Sequence, residues 1–195
     1  MRSVTGVLLL SITFLAACSS PTPAATDGYP LDTRTGLPDI DPVLAAVASG
    51  DPEELRGLIQ YTHAPCTRKE GLGGPPKCTG NEAEGTVLEV LPYLGSEGSF
   101  IRKSEIAGWP GIDAAGLYAV FGVSENATRE EYYLPGEYVA LFLQKDNRNG
   151  VALQITDGRV VRVDTMFTGS PDSFAVFMEQ DSVDSSKVIL APKIR

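Results

Sequence analysis

The sequence predicts an α+β domain in which an N-terminal helical hairpin packs on a curved antiparallel sheet. Three observations lead there. Two short segments, 42–49 and 52–61, combine helix-start chemistry with apolar residues at helical spacing. Beyond residue 85 the apolar period changes to two, and turn residues divide that region into five or six alternating runs. Finally, 195 residues with 20 Gly and 14 Pro suit one domain with some non-globular sequence attached.

Each element has its own local reason. Asp41-Pro42 and Asp51-Pro52-Glu53-Glu54 offer an N-cap carboxylate followed by Pro at the first helical position. In the second case the acids fall in the first turn, where the helix dipole favours them. Val43, Leu44 and Val47 share one face of the first helix and Gly50 is its natural stop, while Leu55, Leu58 and Ile59 share a face of the second. Strands are expected over 86–93, 116–124, 137–144, 150–156 and 159–167, with a last one over 187–191. Asp157-Gly158 is a two-residue hairpin signal, and a longer turn over 146–150 precedes it, so the last three of the five form a meander. Residues 104–107 suit a single helical turn, and Ser170-Pro171-Asp172 opens a helix expected to reach residue 180. The phrase VLAAVASGDPEELRGLI resembles the opening helices of NTF2-like domains and also one ankyrin repeat. No second copy recurs at a period of about 33, which removes the ankyrin reading. With the strands that follow, the resemblance implies an NTF2-like or cystatin-like appearance, and it carries no functional residue with it.

At the N-terminus, Arg2 supplies a positive charge and residues 4–17 form an uncharged, mostly apolar run. A helix needs about 20 such residues to span a bilayer, so the run suits the core of a signal peptide. It closes in Leu15-Ala16-Ala17-Cys18. This resembles the lipobox of bacterial lipoprotein precursors, in which a Leu and two small residues precede a Cys. The resemblance implies cleavage before Cys18, a thioether from its sulfur to diacylglycerol and acylation of the new amine. At about 0.8 kcal/mol per buried methylene, two or three acyl chains anchor a soluble domain stably. Residues 1–17 are thus read as signal peptide, 18–39 as lipidated Cys and flexible tether, and 40–195 as a single globular domain. The tether is rich in Pro, Ser, Thr, Ala and Gly, without an apolar period. The expected location is extracytoplasmic, lipid-anchored to the cell membrane or outer membrane.

Charge and composition narrow the chemistry. Sixteen basic against 25 acidic residues, a net charge of -9, make nucleic acid a poor partner. Once Cys18 is acylated, Cys66 and Cys78 remain, and in an oxidising compartment such a pair within a Gly/Pro-rich segment is expected to form a disulfide. A metal site using His63, Cys66 and Cys78 lacks a fourth ligand and close Cys spacing. Gly71 to Lys77 is not a phosphate loop, because Pro76-Lys77-Cys78 stands where Gly-Lys-Ser/Thr is required. No metal or cofactor is therefore implied. His63 is the only histidine and no nucleophile elbow occurs, so a catalytic triad has little to build on. Acid pairs such as Glu82/Glu84 and Glu130/Glu131 are read as solvated surface. Trp109, Tyr132 and Tyr133 fall in predicted loops, where large aromatics serve as contact anchors. The functional expectation is a noncatalytic binding or assembly module at the cell envelope, with an envelope protein or small ligand as partner. The alternative is a small-molecule enzyme with an NTF2-like pocket, in which His63 and a nearby carboxylate act as acid and base.

Overall fold

The first helix begins one residue earlier than the capping pattern predicts. In a computed structural model of the chain, which describes residues 28–71, 73–94, 99–124, 131–133, 136–145, 149–167 and 183–193, α1 spans Asp41–Ser49. Its N-cap is Ile40, not Asp41. The Asp41 carboxylate turns away from the helix amides and accepts hydrogen bonds from Thr35 N (2.7 Å), Thr35 Oγ1 (2.8 Å) and Gly36 N (2.9 Å). Burial works against this charge, but those bonds and the nearby Arg34 outweigh it and hold the carboxyl below its ordinary range. Gly50, at φ +70°, ends the helix as expected.

The second helix, α2 (Pro52–Gly57), is capped by Asp51, which accepts from Glu53 N at 2.9 Å. It stops well short of residue 61. The chain leaves it to join the sheet: Ile59 bridges Val160, Gln60 N donates to Val160 O, and Val160 N donates to Leu58 O. Tertiary pairing thus overrides the helical spacing of Leu58 and Ile59.

Eight strands follow: β1 (Thr62–Pro65), β2 (Val87–Leu94), β3 (Ser99–Arg102), β4 (Ala114–Val123), β5 (Tyr138–Gln144), β6 (Asn149–Thr156), β7 (Arg159–Phe167) and β8 (Val183–Leu190). They form one sheet in the order β1-β2-β7-β6-β5-β4-β8, with β3 paired to β2. A 3-10 helix, Lys103–Gly108, stands where the single helical turn is expected. Asp157 and Gly158 have φ of +49° and +70°, and Thr156 pairs with Arg159, which gives the primed turn that the Asp-Gly signal predicts. The predicted helix over 170–180 and most of the turn over 146–150 lie outside the described residues, as do residues 1–17 and Cys18.

Two expectations are corrected. The sheet is mixed, because β2 runs parallel to β7 through Tyr93↔Val163 and Leu94↔Asp164. A parallel pair needs a crossover, and the passage through β3 to β6 supplies it. Residues 28–39, expected as part of the tether, are instead attached to the folded domain. Tyr29 exchanges backbone hydrogen bonds with Leu117 of β4 (2.7 and 3.0 Å), Leu31 and Leu37 pack on the core, and Ile40 is fully buried. Gly28 fits there because a Cβ would stand 2.8 Å from Leu117 O.

Both faces of the central strands are buried. One apolar cluster joins Val43, Leu44, Val47 and Leu55 of the helices to Phe142, Leu153, Ile155 and Val160 of the sheet. On the other face Ala119, Phe121, Val139, Leu141, Ala152 and Val183 form a second cluster. Strands covered on both sides account for near-continuous apolar runs such as YVALFL in β5. At the end of the sheet, β8 is bulged between Asp184 and Val188 opposite β4, and the Lys187 stem lies over Gly122, where a Cβ would meet it at 2.8 Å. A bulged, Lys-bearing terminal strand is a poor template for pairing with another chain.

Candidate functional site

The Cys66–Cys78 disulfide is formed. The loop it closes is also held by ion pairs and hydrogen bonds. Arg102, on β3 and almost fully buried, donates to both Glu82 oxygens (2.7 and 3.0 Å) and to Lys77 O. This bidentate contact and the Thr79 amide hold the Glu82 carboxyl down to about 2. Glu84 accepts from Arg68 N and Thr67 Oγ1, and these bonds lower its carboxyl too. Both acids therefore fasten the loop, Glu82 half-buried and Glu84 on the solvent-exposed surface. Lys77 Nζ donates to Lys69 O and Gly73 O (3.1 and 3.3 Å), so the loop's own carbonyls engage the ammonium. A groove of about 420 Å³ opens beside this loop, and another of about 450 Å³ runs past Glu89, Arg102 and Lys103.

His63 lies on β1, exposed to solvent, with Glu89 as its cross-strand partner. The Glu89 carboxylate is engaged by Lys103 Nζ at 2.9 and 3.0 Å, and Lys103 holds it below its ordinary range. His63 does not line either groove. The expected pocket histidine is thus a surface residue, because the alternation of β1 buries Thr62 and Ala64 and turns residue 63 outward.

Of the three aromatic contact candidates, Trp109 must be withdrawn. It is only 7% exposed and belongs to the helix-side cluster, while Arg56 Nε donates to its backbone oxygen at 3.0 Å. The Gly-Trp-Pro-Gly sequence folds the indole inward, since its apolar area is better buried than displayed. Tyr132 and Tyr133 are half-buried. The Tyr133 ring lies 5.7 Å from that of Phe100 and 5.4 Å from the Arg162 guanidinium carbon.

Tyr133 leads to a buried polar group on β6 and β7. Arg162 and Asp164 lie two apart on β7, and Gln154 of β6 is the cross-strand partner of Arg162, so the three share one face. All are buried. Arg162 Nε donates to Asp164 Oδ1 at 2.7 Å, and Gln154 Oε1 accepts from Gly136 N at 3.2 Å. Burial pushes the Asp164 carboxyl above its ordinary range, against the pull of Arg162 and Gln154. Asp164 Oδ2 and Gln154 Nε2 have no hydrogen-bond partner. Gln154 and Asp164 approach as a side-chain pair that pulls the carboxyl down, with Nε2 and Oδ2 held just beyond ordinary hydrogen-bond geometry.

Sequence reasoning missed this group for a definite reason. Alternating apolar and polar residues in RVVRVD read as a strand with one wet face. The only available signal was opposite charges at i and i+2 on a strand whose neighbours are apolar. No group of His, Cys, Asp and Glu with metal-binding geometry occurs among the described residues, and no described helix is long and apolar enough to cross a membrane. No family model matches the chain, and no curated protein or solved structure is significantly similar to it.

Proposed function

We propose that the chain is an extracytoplasmic lipoprotein anchored through Cys18, and that its folded part is a noncatalytic binding or assembly module. The observation that carries this reading is a pair: Leu15-Ala16-Ala17-Cys18 closing a short apolar run, and a Cys66–Cys78 disulfide in the domain that follows. A disulfide of this kind persists in an oxidising compartment, the destination that such an N-terminus addresses. The same reading takes α1 and α2 as a hairpin lying on a curved sheet in an NTF2-like or cystatin-like manner, supported by the cluster that the helices share with β5 to β7.

A binding role is favoured over catalysis because the solvent-facing His63 lines neither described groove, while the space where helices meet sheet is occupied by Val43, Leu44, Leu153 and Ile155. The enzyme alternative draws on the raised carboxyl of Asp164. Metabolic labelling with a fatty acid, combined with detergent partitioning, tests the anchor. Label is expected in the wild type and absent from Cys18→Ala; label that persists in the variant refutes the assignment.

A further inference from the structure

We propose that the open edge of β2 at Val87–Glu89 is a docking site for an extended peptide segment of a partner protein, which pairs with β2 in line with β3. The proposal rests on the binding-module reading above and gives it a partner class.

The direction of the edge follows from one peptide plane. Thr86 O accepts from Cys66 N, on the β1 side, at 2.8 Å. The carbonyl and the amide of a trans peptide point opposite ways, so the N–H of Val87 points away from β1. In an extended strand a residue's own C=O points with its N–H, and Glu89 repeats that direction two positions on. Pro65, opposite Val87 on β1, has no N–H, which suits a pair that exchanges no hydrogen bonds. On the other side β3 falls short. Val90 lies between Thr62 of β1 and Arg102, the last residue of β3, and from Lys103 the chain enters its 3-10 helix. Among the described residues no strand stands opposite Val87 or Glu89 on that side.

The lining of this edge identifies its occupant. The groove of about 450 Å³ that runs past Glu89, Arg102 and Lys103 is lined by Val87 and Leu88 as well. An exposed backbone donor and acceptor on a strand edge are matched by a second backbone in extended form. β2 pairs with β1 and β3 without a register shift, so its edge is regular enough to extend. The charges in the groove are already met, Arg102 by Glu82 and Lys103 by Glu89, so a charged side chain arriving there finds no free counter-ion and a neutral one is preferred. Val87, 63% exposed, offers an apolar contact to a β-branched or aromatic residue of the incoming strand.

A phage-displayed library of random heptapeptides, panned against the full chain in detergent micelles, tests the site. Selected sequences are expected to converge on alternating β-branched or aromatic residues. The synthetic peptide made from them should bind about tenfold more weakly to Val87→Pro, which removes the groove-facing N–H and leaves the Thr86 carbonyl bonded to Cys66. Val87→Thr keeps that N–H and should stay within about threefold of the wild type. Circular dichroism checks that Val87→Pro remains folded; should it unfold, exchange of the Val87 amide hydrogen in the wild type carries the test, with about tenfold slowing expected under saturating peptide. No convergent sequence, unchanged affinity in folded Val87→Pro, or Val87 exchange that the peptide does not slow overturns the proposal. The binding-module reading would survive that result if an envelope protein partner is still captured in a manner that Tyr132→Ala abolishes.

Discussion

Replacing both Cys66 and Cys78 by Ala removes the cross-link between residues 12 apart in sequence and leaves the folded loop its other attachments. In the chain-entropy account, a loop of this size withholds about 3 kcal/mol of conformational freedom from the unfolded state. In the folded state the Arg102 contacts to Glu82 and Lys77 O, and those of Glu84 to Arg68 and Thr67, hold the same loop without the sulfurs. The loss should therefore come almost wholly from the unfolded side. For a domain of this size about 3 kcal/mol corresponds to a fall in Tm of roughly 6–12 °C. Thermal and urea melts of the full chain in detergent, oxidised against the double variant, measure it. The variant should keep its native circular dichroism and show a larger urea m-value, because its unfolded chain is less constrained. A fall of less than about 2 °C would refute the reasoning, since it would mean that loop closure is not what the bond contributes.

Two further outcomes follow from the shifted carboxyls. Asp164 is raised, so the folded protein holds that proton more tightly than the unfolded chain, and its contribution is greatest in acid and lost as pH rises through the folded-state value. Glu82 is lowered to about 2 from 4.5, so its contribution is complete above the ordinary range and lost as pH falls towards 2. Asp164→Asn should gain stability over the wild type from acid to neutral pH, and Glu82→Gln should flatten the acid limb; urea midpoints that shift in parallel for wild type and both variants would contradict these signs. Trp109→Ala should cost about 3–5 kcal/mol by denaturation, as an aromatic lost from a packed cluster, and a cost below about 1 kcal/mol would return the indole to the surface.

Much of the fold is legible in local chemistry. The Asp51 cap, the Gly50 stop, the Asp157-Gly158 turn and the alternation of five strands each act within a few residues, and the structure places them where their sequence does. What escapes is non-local. Residues 58–60 lose their helical spacing to Val160, a hundred positions away, and β1 and β3 are four-residue strands defined by β2 and not by their own pattern. Tyr29 reads as tether because nothing near it is apolar and periodic, yet Leu117 claims its backbone. The candidate site escapes for the same reason. Its polar residues look solvated until a second layer of burial is placed over β6 and β7, and Trp109 looks displayed until the core is assembled around it.

The parallel step between β2 and β7 divides the sheet into two antiparallel blocks, β1-β2-β3 and β7-β6-β5-β4-β8, that meet in register at only two residue pairs. Thr165 Oγ1 to Leu94 O, the Ile59–Val160 bridge with its two backbone hydrogen bonds, Arg159 Nη1 to Gly57 O and the apolar packing of Leu91 with Val160 and Val163 add further stitches. So short a seam makes each block a separate unit of opening. Amide hydrogens of β1 to β3 can exchange by detachment of the smaller block, at a free energy below that of global unfolding, while those of β5 and β6 wait for the whole sheet to open. Asp164 sits on the seam itself, opposite Leu94. Anything that completes its hydrogen bonding also tightens the joint between the blocks, and would be read first as slowed exchange in the half of the protein that it does not touch.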